Sequence, residues 1–74
     1  MDKNIFFRIR EGEDYIQLIQ LLKATNVADS GAEAQMMVIN NQVTLNGSIE
    51  QRKRAKVRCG DIVTILGFII NVTD

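Results

Sequence analysis

Gln42-Val43-Thr44-Leu45-Asn46-Gly47-Ser48-Ile49-Glu50-Gln51-Arg52-Lys53-Arg54-Ala55-Lys56-Val57-Arg58 holds a tight turn and a basic run within one short segment. Asn-Gly accepts the positive φ angles of a two-residue hairpin turn. Val43 and Leu45 share one face of a short strand before it, and Ser48 to Gln51 can return antiparallel. From Arg52 to Arg58, five of seven residues are basic. Residues 50–58 carry five basic groups and one acidic, a net charge of +4. Residues 1–49 have four basic and six acidic groups, and residues 59–74 have two acidic and none basic, so each flank is −2. The chain is neutral in total and strongly polarised, and the polarity is the informative quantity.

Outward from this segment, Cys59-Gly60-Asp61 marks another turn. Ile62–Leu66 and Phe68–Val72 read as two strands about a bend at Gly67. Upstream, Ser30-Gly31-Ala32-Glu33 is a capping box, so a second helix is expected from there to about Asn40, with Asn41 suited to the left-handed position after its end. Before it, Tyr15, Leu18, Ile19 and Leu22 recur at helical spacing, which predicts an amphipathic first helix from Asp14 to about Ala24. Glu11, Glu13 and Asp14 suit the positive end of that helix. Asn4–Arg10 is aromatic and β-branched and reads as an edge strand. One strand, two helices and several short strands give an α+β domain.

With 74 residues the chain is one small domain, expected over 1–74, and it buries roughly 60% of its unfolded surface. One Cys excludes an internal disulfide and suits a reducing cytoplasm. The absence of His excludes a Cys/His zinc cluster and the commonest general base. Cys59 reads as a small half-buried residue at a strand end. Asp14, Asp29 and Glu33 fall where helix starts draw acids, so neither a metal nor another cofactor is expected. No apolar run is long enough to span a bilayer, and no membrane association is expected.

From about Tyr15 to Leu66 the chain resembles the RNA-binding domain first seen in small-subunit ribosomal protein S-four, and within it the small free-standing bacterial YbcJ-like branch. The resemblance rests on an ordered set of features. These are the Leu-rich first helix, Ser30-Gly31-Ala32-Glu33-Ala34, the Asn41-Gln42-Val43-Thr44-Leu45-Asn46-Gly47 segment, Glu50-x-Arg52-Lys53-Arg54-x-Lys56, and Gly60-Asp61-Ile62-Val63. It implies a two-helix αL-type motif packed on a small, mainly antiparallel sheet with hairpins. It also implies a non-catalytic module that binds folded RNA, ribosomal or transfer, through phosphates and shape. Where the broader family often has Arg after the Ser that opens helix two, this chain has Gly31; Gln35 occupies a position on that helix where basic residues are common.

The residues expected to meet RNA are Arg52, Lys53, Arg54, Lys56 and Arg58, with Lys23, Asn26, Ser30 and Gln35 extending the surface near the mouth of the second helix. In an extended run Arg52, Arg54, Lys56 and Arg58 project to one side and Lys53 to the other. Arg offers planar two-pronged contacts to phosphate, and each phosphate neutralised releases counterions. Charge alone is equally compatible with a solvated face whose cations pair with Glu50, Asp61 and neighbours. Helix two is apolar on two faces: Ala34, Met37 and Val38 on one, Ala32, Met36 and Ile39 on the other. One face is expected to be left open or covered by a partner, either a ribosomal or assembly protein or a second copy of the chain. A monomer is otherwise favoured.

Overall fold

The computed structural model describes residues 3–74; the first two residues of the expected 1–74 domain lie outside the described residues. In chain order the elements are β1 (Lys3–Arg8), β2 (Ile16–Gln17), α1 (Leu18–Ala24), α2 (Gly31–Ile39), β3 (Val43–Leu45), β4 (Ser48–Ile49), β5 (Lys56–Val57), β6 (Ile62–Ile65) and β7 (Phe68–Thr73). Five strands form one sheet in the order β1-β7-β6-β3-β4, parallel only between β1 and β7. β2 and β5 form a separate antiparallel ribbon. The architecture is α+β, with two helices packed on a mainly antiparallel mixed sheet.

Alternation sorts the sheet residues onto two faces. Val63 pairs with Ile70 and Leu45, and Ile65 pairs with Val43, so these side chains point to one side. They close a core with Leu18, Leu21 and Leu22 of α1 and with Ala34, Met37 and Val38 of α2. On the other side, Thr44 meets Thr64 across β3 and β6 through a hydroxyl–hydroxyl hydrogen bond. Phe6, Ile49 and Ile62 on that side are exposed.

Several local expectations are met. Asn46 and Gly47 take φ values of 52° and 88°, joining β3 to β4. Ser30 caps α2, its hydroxyl accepting the Glu33 amide hydrogen at 3.1 Å. Asn41 is left-handed, with φ 59°, and the amides of Asn41 and Gln42 donate to the carbonyls of Val38 and Met37. That pair of bonds is a Schellman closure of the helix. Met36 and Ile39 are 54% and 55% exposed, so the second apolar face of α2 is open.

The first helix differs from expectation. It begins at Leu18, not Asp14. Ile16 and Gln17 instead pair with Val57 and Lys56, which places Ile16 against the core opposite Val57 and takes Tyr15 out of the helical stripe. A long-range partner outcompetes local periodicity here. Glu11, Glu13 and Asp14 lie in the preceding turn, where the Glu13 amide donates to the Arg10 carbonyl at 3.0 Å, and α1 has no acid in its first turn. The first strand ends at Arg8 rather than Arg10, and it lies at the sheet edge.

The turn between β6 and β7 carries a local strain. Leu66 and Gly67 have φ values of 41° and 83°, so both central residues are left-handed. That conformation costs an ordinary L-residue about 1–2 kcal/mol, whereas Asn tolerates it. Leu66 is also 62% exposed and gains little from burial. Leu66→Asn is therefore expected to raise stability by about 1 kcal/mol, read as a higher urea midpoint at an unchanged m-value.

Candidate nucleic-acid interface

Two backbone hydrogen bonds fix the basic segment to the first helix. The amides of Leu18 and Ile19 donate to the carbonyls of Ala55 and Lys53 at 2.9 and 3.2 Å. These are amides that a helix start leaves without intrahelical partners. The loop serves as a cap, and its cations are held beside the positive end of the helix. The ribbon continues the link. Val57 and Ile16 face the core, so Lys56 and Gln17 face outward. Val57 is fully buried and anchors the strand from which the charges project.

The run is not extended throughout: residues 53–54 form a turn in which the Ala55 amide donates to the Arg52 carbonyl at 3.2 Å, and only Lys56–Val57 is strand. Arg52, Arg54, Lys56 and Arg58, with Ala55, line one open cleft of about 460 Å³, and Lys53 is not among its lining residues. All five cationic residues are exposed. Among the described residues, no carboxylate lies within 4.0 Å of the charged nitrogens of Lys53, Arg54, Lys56 or Arg58.

Arg52 differs from the other four. Its Nε and Nη2 donate to Glu50 Oε2 and Oε1 at 3.1 and 3.2 Å, and its backbone amide donates to Oε2 at 3.0 Å. The guanidinium bonds, followed by the backbone amide, hold the Glu50 carboxyl below the usual carboxylate range. A carboxyl lowered in the folded state contributes stability above its unfolded pKa and loses it as pH falls through the lowered value. At neutral pH the pair is closed and Arg52 already has an anionic partner.

Asp61, the other acid expected to pair with the run, does something else. Its Oδ2 accepts the backbone amide of Arg58 at 2.8 Å, and its Oδ1 accepts Asn46 Nδ2 at 3.1 Å. Asn46 Oδ1 in turn accepts the Ile62 amide at 2.9 Å. The Asn-Gly and Gly-Asp turns thus lock to each other, and the Arg58 guanidinium stays unpaired by Asp61.

Tyr15 belongs to this surface, although helical periodicity had assigned it to the core. One step beyond the Ile16–Val57 pair, its ring lies under two cations. Lys56 Nζ is 5.0 Å from the ring centroid and Arg58 Cζ is 5.9 Å from it. Such contacts hold long flexible side chains in place by attraction to the negative ring face. No sequence signal near Tyr15 announces this, because the pairing that creates it is remote in the chain.

The remaining expected residues lie elsewhere. Lys23 is near the far end of α1 from the basic loop, about 8 Å along the axis from Leu18. Its side chain lies against the start of α2, where a β-carbon on Gly31 would fall 3.8 Å from Lys23 Cδ. Asn26 is exposed and left-handed, with φ 61°, and it closes α1 by donating its amide to the Lys23 carbonyl at 3.0 Å. Ser30 is exposed and occupied as the α2 cap, and Gln35 is half-buried. The basic cleft therefore opens beside the start of α1 rather than at the mouth of α2. Gln51, just before the run, bonds Asn41 past the end of α2 at 3.3 Å. Cys59 is exposed rather than half-buried.

Comparison with known proteins agrees with this geometry. The family model described as the S4 domain matches residues 7–73. YbcJ of Escherichia coli is 34% identical over 58 residues, covering 78% of this chain and 83% of YbcJ; YbcJ of Shigella flexneri matches to the same extent. The solution structure of Escherichia coli YbcJ superposes with a TM-score of 0.73 at 30% identity, covering 93% of this chain and 86% of that one. That structure is described as revealing an αL motif involved in RNA binding. With the fold, the ordered turns and these matches in agreement, the chain belongs to the S4-domain family.

Proposed function

We propose that this protein is a non-catalytic RNA-binding module of the cytoplasm, which recognises folded ribosomal or transfer RNA mainly through phosphate contacts and shape. The observation that carries the reading is the cleft of four cations, with Arg54, Lys56 and Arg58 unpaired by any described carboxylate. Like charges held side by side repel, and a phosphate ridge relieves that repulsion while releasing its own counterions. The cations are held on backbone that is bonded to a helix and anchored by a buried valine, so a fixed phosphate spacing is favoured over a diffuse polyanion. Duplex RNA hides its base edges in a narrow deep groove, which suits recognition by backbone and shape. RNA binding attributed to the αL motif of YbcJ supports the same reading.

A second reading has one observation in its favour. Met36 and Ile39 form an exposed apolar step on α2, which suits docking to a ribosomal or assembly protein. The two readings separate by salt. Binding of a structured RNA through the cleft is expected to weaken steeply between low and physiological salt. Arg54→Ala and Arg58→Ala should each lower the magnitude of the log–log salt slope by about 1. Arg52→Ala should lower it by less, because that guanidinium is already paired with Glu50. A salt-insensitive affinity, or a slope governed by Arg52 alone, would contradict the assignment. Protein docking through α2 should instead be nearly independent of salt and fail on Met36→Glu, as read by co-sedimentation with ribosomal particles stripped of RNA contacts by high salt.

A further inference from the structure

Tyr15 touches two cations, Lys56 and Arg58, that line the basic cleft. Tyr15 itself lines a different open cleft, of about 520 Å³, that neither Lys56 nor Arg58 lines. Its walls include Phe7, Ile9 and Ile16, and its polar groups are Arg10, Glu13, Asp14, Gln17 and Gln20. The volume falls within the range of small-molecule sites, and the mixture of apolar walls and a few polar groups is the usual composition of such a site.

We propose that this second cleft receives one unpaired base of the bound RNA, stacked on Tyr15, while the flanking phosphates lie in the basic cleft. The proposal rests on the RNA reading above and adds a base-reading site to it. Three features of the site select a base over other groups. The ring is an aromatic surface that already attracts two cations. The lining sets two carboxylates, Glu13 and Asp14, against one cation, Arg10, which lies 4.0 Å from Glu13, so phosphate is disfavoured and carboxylate oxygens are on hand to accept hydrogen bonds. Lys56 and Arg58 beside this ring also line the basic cleft, so base and phosphate of one nucleotide have neighbouring sites. Acceptors at the rim favour a base with adjacent donors on its pairing edge. Guanine, with an imino and an amino group side by side, fits better than uracil with one imino group.

The test compares two hairpin RNAs that differ by a single bulged guanosine, titrated at one fixed salt concentration. The wild-type protein is expected to bind the bulged hairpin about five- to hundredfold more tightly, the range of stacking one base on an aromatic ring. Tyr15→Leu should bring the ratio of the two affinities close to one, and Tyr15→Phe, which keeps the ring, should restore most of it. A bulged 2-aminopurine should lose fluorescence on binding wild type and not on binding Tyr15→Leu. Tyr15 is half-buried outside the core cluster, so an amide spectrum of wild-type dispersion verifies that Tyr15→Leu is folded. Arg54→Ala should weaken both RNAs together and leave their ratio intact. A ratio near one in wild type, or a ratio that survives Tyr15→Leu, would overturn the base site while leaving phosphate binding standing. Failure of wild type to bind either hairpin would overturn both.

Discussion

The hydrogen bonds from Leu18 and Ile19 to the carbonyls of Ala55 and Lys53 are the constraint on which the interface depends. A helix must find partners for its first amides, and α1 has neither a side-chain cap nor an acid in its first turn. The basic loop supplies those partners through its backbone, which leaves its side chains to project into solvent. One interaction thus ends a helix, fixes a loop and presents a cluster of charge. The adjoining ribbon strengthens it, since Ile16 and Val57 bury one face while Lys56 and Gln17 occupy the other.

Such an arrangement is unfavourable for the free protein in one respect. Positive side chains crowd one another beside the positive end of a helix, and among the described residues only Arg52 of the five in the run has a carboxylate partner. The cost is offset elsewhere, by a core that unites both helices with the inner face of the sheet and by a bond network that locks the Asn46-Gly47 and Gly60-Asp61 turns together. Tyr15 moderates the crowding by offering its ring to two of the cations. An anion settling in the cleft would remove the remaining repulsion, so the unfavourable charge of the free state would become binding energy in the proposed complex.

What the sequence disclosed, and what it withheld, follows the range of the interactions. The Ser30 cap, the left-handed Asn41 and the hairpin at Asn46-Gly47 each arise from a few neighbouring residues, and each was readable. The bend at Gly67 was readable for the same reason, whereas Arg52, Arg54, Lys56 and Arg58 reach one cleft through a turn at residues 53–54 and not through the alternation of an extended run. The start of α1 was not. Acids at Glu13 and Asp14 and apolar spacing from Tyr15 gave a consistent local signal for a longer helix, but pairing with residues 56–57 decided the boundary. Tyr15 changed role with it, from a core residue to part of the charged surface. The parallel pairing of β1 with β7 likewise joins the two ends of the chain and has no local signature. Lys23, Asn26 and Ser30 were grouped with the run because the mouth of α2 was expected to adjoin it; the fold puts the run at the start of α1 instead.

Amide chemical-shift mapping during titration with a folded RNA hairpin tests the central claim most directly. The account predicts the largest shifts at residues 52–58 and at 15–19 together, since loop and helix start are hydrogen-bonded into one unit. Shifts confined to the α2 step around Met36 and Ile39, or to the outer sheet face around Phe6 and Ile62, with residues 52–58 unmoved, would contradict it.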